Sequence, residues 1–156
     1  MIDLLRNDLE RDEGLRLKVY KCPAGYDTIG YGRNLESNPL SPAEVEFCGY
    51  TTQELRDGAL IVEAHAVFFL QNDIERVIKQ LDAAEPWWIT RPDNVRRGLA
   101  NMVFQMGLRG VQGFKRMMAS LQAGDYAGAK REALDSKWAK VDSPKRAERV
   151  TALFHA

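Results

Sequence analysis

The apolar pattern of this chain changes its period once, and that change limits what it can fold into. In Leu15-Arg16-Leu17-Lys18-Val19-Tyr20-Lys21 apolar and charged residues alternate, the period-two signature of a half-buried strand. Pro23-Ala24-Gly25 turns the chain, and Tyr26-Asp27-Thr28-Ile29-Gly30-Tyr31-Gly32 reads as a returning strand whose glycines permit close backbone approach. Elsewhere the spacing is helical. Ile2, Leu5 and Leu9 share a stripe over the first eleven or so residues, and Gly14 is a natural stop. Residues 33–52 are rich in loop signals around Asn38-Pro39 and Ser41-Pro42, with a short helix over 43–48. Thr51 and Glu54 match a capping box, and the proline-free stretch behind them predicts one helix over about 53–84. Its Leu70, Ile74, Val77, Ile78 and Leu81 fall at helical spacing. Asp93 reads as the cap of a segment striped by Val95, Leu99, Met102, Val103 and Met106. Gly107, Gly110 and Gly113 punctuate a turn, and further helices are expected over 114–122, 125–134 and 144–154. The fold class is therefore α+β, one domain over 1–156. A sheet-bearing lobe over about 13–60 and a helical lobe of 1–12 plus 85–156 are expected, joined by the long helix.

Composition narrows the function classes. A chain of 156 residues can bury roughly two-thirds of its unfolded surface without disulfide or metal support. Its 45% hydrophobic and 28% charged residues argue against disorder. No apolar run reaches the roughly 18–20 residues that span a bilayer, and the first residues lack the apolar core of a secretory signal, so no membrane anchor is expected. Cys22 and Cys48 form one bridge or stay free. With His65 and His155 they show no zinc-site spacing, so neither metal nor cofactor is expected. The formal net charge of zero conceals an asymmetry: 9 Lys/Arg against 16 Asp/Glu up to Glu85, then 13 against 6. The basic part is a candidate for an anionic partner. Its charges are scattered over several helices without a nucleic-acid motif, so nucleic acid is not the expected one.

The segment with chemical potential runs from Glu13 to Gly32. Glu13 closes the first helix, where the carbonyl end of the helix dipole disfavours a bare carboxylate, the bias a proton donor needs. Cys22 projects from the hairpin turn, and Thr28 begins the returning strand. The sheet can present an acid, a thiol and a hydroxyl on one side, although each residue type also has an ordinary structural role.

Three blocks carry a likeness. The first is Asp12-Glu13-Gly14-Leu15-Arg16-Leu17-Lys18 with Tyr20-Lys21, Gly25-Tyr26 and Thr28-Ile29-Gly30. The second is Val95-Arg96-Arg97 with Asn101-Met102-Val103-Phe104-Gln105-Met106-Gly107. The third comprises Ser136, Trp138, Pro144, Arg146-Ala147 and Arg149-Val150. In this order they resemble the T-even phage lysozyme family, endolysins that cleave bacterial peptidoglycan. The resemblance implies a lysozyme-like fold. It also maps the catalytic pattern, Glu then Asp or Cys then Thr, onto Glu13, Cys22 and Thr28, a cysteine variant. It implies hydrolysis of the beta-1,4 bond between N-acetylmuramic acid and N-acetylglucosamine. Glu13 would be the general acid, and Cys22 either a nucleophile or, with Thr28, the holder of a water. Inversion is implied for members with an aspartate, and the outcome with cysteine stays open. A thiol titrates near 8.5, so Cys22 is mostly neutral at pH 7 unless a positive environment lowers it, and Lys21 points to the opposite strand face.

Gly32, Leu35, Phe104, Gln105, Lys137 and Arg146 are the implied substrate-side residues, Arg146 as the arginine that reaches the catalytic glutamate. Arg149 is expected to pair with Asp12, and Arg33 with Asp73 in a structural salt bridge between sheet and helix. Trp87 and Trp88 are expected to pack. The chain also ends at Ala156 without the aromatic tail of other members. The implied setting is a monomer held in the host cytoplasm that reaches the periplasmic wall once a holin permeabilises the membrane, causing host lysis. There a Cys22–Cys48 bridge would silence it. Two other readings compete: a peptidoglycan-binding protein that lost hydrolysis with the second carboxylate, and a cysteine hydrolase using Cys22 with His65 or His155.

Overall fold

The computed structural model describes the whole chain, Met1–Ala156. Helix α1, Ile2–Glu13, buries Leu5 and Leu9, while Ile2 sits in the fraying first turn and stays exposed. The Gly14 N–H bonds to the Glu10 carbonyl at 3.1 Å, so Glu13 is the last helical residue. Three antiparallel strands follow in the order β1 (Arg16–Lys21), β2 (Asp27–Gly30) and β3 (Arg33–Asn34). Strand β3 is two residues long, too short to show a period, and lies in the stretch read as loop. The alternation in β1 predicts a buried apolar face, yet Leu15 and Leu17 remain exposed. Strand β1 has one partner only, and its register slips between Arg16 and Tyr20, which twists that edge outward.

Helix α2, Pro42–Cys48, opens on a capping box between Ser41 and Glu44. The helix expected over 53–84 is in fact two: α3, Thr52–Arg56, and α4, Glu63–Ala84. The Thr51–Glu54 capping box forms as the sequence implies, but Gly58 adopts φ 108°, which no helix accommodates. The chain turns at 57–58 and crosses 59–62 without regular structure, and the Ile61 N–H bonds to the Leu17 carbonyl at 3.0 Å. After a 3-10 turn over Pro86–Thr90 comes α5, Asp93–Gln112. Asp93 is its first residue rather than its cap: Pro92 holds the cap position, and the Asp93 carboxylate meets Arg96 at 3.6 Å. Gly107 interrupts α5, where a turn is expected, and the helix resumes to Gln112. Helices α6 (Lys115–Ala123), α7 (Tyr126–Leu134) and α8 (Pro144–Thr151) complete the chain, with a π-helical turn over Trp138–Asp142.

The fold is α+β and lysozyme-like, mostly helical with one small sheet. It divides into two compact units, Arg6–Asp73 and Met1–Leu5 with Ile74–Ala156. The first closes around Leu9, Ile29, Leu35, Leu55, Ile61, Phe69 and Leu70. The second closes around Leu81, Trp88, Leu99, Met102, Leu121, Val150 and Phe154. Trp88 packs as expected, fully buried, with its indole N–H on Asp82 at 2.8 Å. No helix is long and apolar enough to cross a membrane.

Candidate active site

The β1–β2 hairpin sorts its side chains onto two faces with different chemistry. Lys21 and Asp27 are cross-strand partners and form an ion pair at 2.8 Å, joined by Arg56 at 3.2 Å. That lysine is committed to Asp27, whose carboxyl it holds below the usual range through a hydrogen bond. The opposite face carries Tyr20 and its partner Thr28, and two residues beyond Tyr20, Cys22. The turn is tied by the Cys22 N–H on the Tyr26 carbonyl at 3.0 Å and the Gly25 N–H on the Cys22 carbonyl at 2.8 Å.

Hydrogen bonds of this turn, and no cationic side chain, lower the Cys22 thiol. Desolvation pushes the Cys22 thiol up, but hydrogen bonds from the Tyr26 N–H, the Thr28 hydroxyl and the Ala24 and Gly25 N–H groups outweigh it and hold it below its ordinary value. Backbone dipoles thus favour the thiolate where no side-chain charge does. The Thr28 hydroxyl donates to the Tyr26 carbonyl at 2.9 Å. Both cysteines are free, and Cys48 is buried with its thiol on the Tyr50 carbonyl at 3.4 Å.

Glu13 reaches the same unit from the end of α1. Its carboxylate lies against Gly32: a Cβ built there would stand 2.6 Å from Glu13 Oε2, and the glycine has φ 75°. No other residue satisfies both the backbone angle and the close approach. Next to Gly32, Arg33 is buried and fully engaged. Its Nε–H donates to both Asp73 oxygens at 2.9 and 3.0 Å, and Nη1 to Glu44 Oε1 at 3.0 Å. Its Nη2 donates to Glu44 Oε2 and the Phe69 carbonyl. The expected Arg33–Asp73 pair is present, and Glu44 is the partner that the sequence did not reveal. Leu35, expected on the substrate side, is 1% exposed and belongs to the hydrophobic core. Its N–H bonds to the Asp27 carbonyl at 2.9 Å.

The remaining residues singled out in the sequence lie in the other unit. Gln105 accepts from the Trp138 indole N–H at 2.9 Å and donates to Ser143 Oγ at 2.8 Å, so it fastens both ends of the π-helical turn. Such turns recur at functional sites. Arg146 is buried on α8, and its Nε–H donates to Asn101 at 3.0 Å. Phe104 is half-buried, and Lys137 is exposed, 4.0 Å from Asp142. An open groove of about 570 Å³ runs between the starts of α6 and the end of α7, lined by Phe114, Lys115, Arg116, Glu132 and Asp135 among others. No local pattern in the sequence announces it.

A family model described as phage lysozyme matches residues 10–154. The chain belongs to the phage lysozyme family. Among relatives of this lysozyme-family chain, the pre-baseplate central spike protein Gp5 of Enterobacteria phage T4 is 34% identical over 94% of the chain and 26% of its own length. The chain thus spans about a quarter of that protein. "Probable T4-type lysozyme 1" of Dictyostelium discoideum is 28% identical over 99% of the chain and 95% of its own length. An endolysin of Acyrthosiphon pisum secondary endosymbiont phage 1 is 31% identical over 85% and 75% respectively. By family the chain is a lysozyme, a cell-wall glycoside hydrolase.

Proposed function

We propose that this phage lysozyme hydrolyses the beta-1,4 bond between N-acetylmuramic acid and N-acetylglucosamine of bacterial peptidoglycan. Glu13 donates the proton that the leaving oxygen needs. The Cys22 thiolate, with the Thr28 hydroxyl, holds a water and takes its proton as the water attacks the anomeric carbon, which inverts the centre. Direct attack by the thiolate would instead form a thioglycosyl intermediate and retain configuration. The turn around the sulfur supports this reading, because its N–H groups and the Thr28 hydroxyl hold the Cys22 thiol below its ordinary value without a neighbouring cation. Thr28 beside the sulfur favours the water route, since two groups then fix one water.

Gly32, Gln105 and Arg146 fit binding or positioning roles, with Phe104 and Lys137 as further contacts. The groove beside Phe114, lined by both signs of charge, suits the zwitterionic peptide stems of the wall. Acting as a soluble monomer that a holin releases from the host cytoplasm to the periplasmic wall, the protein would cause host lysis.

The experiment is digestion of purified peptidoglycan, with new reducing ends counted and the first-formed anomer read by proton NMR. The proposal expects muramic reducing ends of inverted configuration from the wild type and none from Glu13→Gln. Wall binding without new ends would favour a non-catalytic wall-binding protein. Retained configuration would transfer Cys22 to the nucleophile's role.

A further inference from the structure

The hairpin face that carries Thr28 and Cys22 also carries Tyr20, which the proposed chemistry leaves unused. Tyr20 is the cross-strand partner of Thr28 and is half-buried. The register slip between Arg16 and Tyr20 brings together two residues that a straight strand would hold about 13 Å apart. The Arg16 guanidinium carbon lies 4.7 Å from the centroid of the Tyr20 ring. A cation seated on the ring face restrains the ring and leaves its hydroxyl unblocked at the ring edge.

Arg16 from its own strand and Thr28 from β2 face Tyr20, and Glu13 from α1 and Cys22 from the turn act on its phenol through their charge. Burial raises the phenol above its ordinary range, Glu13 raises it further, Arg16 lowers it and Cys22 raises it. With the phenol raised and the thiol lowered, Tyr20 still holds its proton when Cys22 ionises. It is a neutral donor on the hairpin face that carries Thr28 and Cys22.

We propose that Tyr20 is a positioning residue for Glu13 and Cys22, its ring clamped by Arg16 so that its hydroxyl donates to the Cys22 thiolate or to the water that the thiolate holds. The inference rests on the catalytic reading of Glu13 and Cys22, and it predicts a property of the thiol that needs no substrate. Without the hydroxyl, the thiolate keeps the N–H groups of the turn and Thr28 but loses one donor.

The test is the rate at which iodoacetamide alkylates Cys22 as a function of pH, read from the mass of its peptide, in the wild type and Tyr20→Phe. Buried Cys48 serves as the marker of the folded chain. Tyr20→Phe keeps the ring under Arg16 and is expected to move the alkylation midpoint up by roughly half a pH unit, about 3-fold slower labelling below the midpoint. In wall digestion the same variant should lose about tenfold in kcat with KM held, the pattern of a group that orients a reacting atom. Superimposable alkylation profiles overturn the inference even if the wild type digests peptidoglycan. A wild type that digests nothing overturns the catalytic reading, while a shifted thiol profile still supports the placement of Tyr20.

Discussion

Glu13 and Gly32 constrain each other closely, because the backbone of one leaves room for the carboxylate of the other. Gly32→Ala would push a methyl into Glu13 and force φ 75° on an L side chain. The expected cost is more than about 1 kcal/mol of stability. Wall hydrolysis should fall more steeply than the melting temperature does, which thermal melts beside turbidity assays would reveal. Glu13→Gln should lower hydrolysis by at least about a hundredfold while leaving the melt nearly unchanged. At Cys22 the N–H groups of the turn serve any anion, so Cys22→Asp should retain activity and Cys22→Ala should lose most of it. A fully active alanine variant would remove Cys22 from the mechanism. Much of this site was legible beforehand: the spacing of Glu13, Cys22 and Thr28 within one helix–hairpin stretch depends only on local structure. What stabilises the thiolate was not legible, since a turn's N–H groups have no side-chain signature. Nor was the burial of Leu35 legible, since a lone leucine in a loop-rich stretch has no periodic pattern to place it.

Between elements, Arg33 pins β3 to α2 and α4 by setting one guanidinium against Glu44 and Asp73. Arg33→Met leaves two buried carboxylates without their cation and should cost about 3–5 kcal/mol, measured by denaturant unfolding. Burial pushes the Glu44 carboxyl up, but hydrogen bonds from Arg33, Ser41 and Asn72 hold it below its ordinary value overall. A carboxyl depressed in the folded state stabilises the fold above its unfolded pKa of about 4.3, and that contribution drains away as pH falls through the folded value. The melting temperature should therefore drop below about pH 4, and Glu44→Gln should flatten that limb. In the helical unit, Gln105→Ala frees both ends of the π-helical turn. It should cost about 1 kcal/mol per hydrogen bond lost and change the emission of Trp138. The sequence showed Arg33 and Asp73 but not Glu44, whose capping-box role at Ser41 is local while its charge partner lies eleven residues away. It also concealed the break at Gly58: a capping box marks where a helix starts and carries no information on where it stops.

At the scale of the whole chain, the zero net charge resolves into two opposed compact units. Arg6–Asp73 holds 7 basic against 12 acidic residues, and the other unit 15 against 10. An anionic wall polymer should meet the basic unit, with binding weakened by salt. Lys130→Gln with Lys145→Gln, both exposed, should lower wall binding and flatten its salt dependence, while turnover of short soluble oligosaccharides stays unchanged. Pelleting with insoluble wall across a salt series reads both quantities. The proposed reacting groups, by contrast, all come from one short run of chain between Glu13 and Gly32. A stretch this compact can be exchanged as a single cassette. Chimaeras that swap it between relatives would trade thiol for carboxylate chemistry in one step and leave the helical unit's sequence untouched.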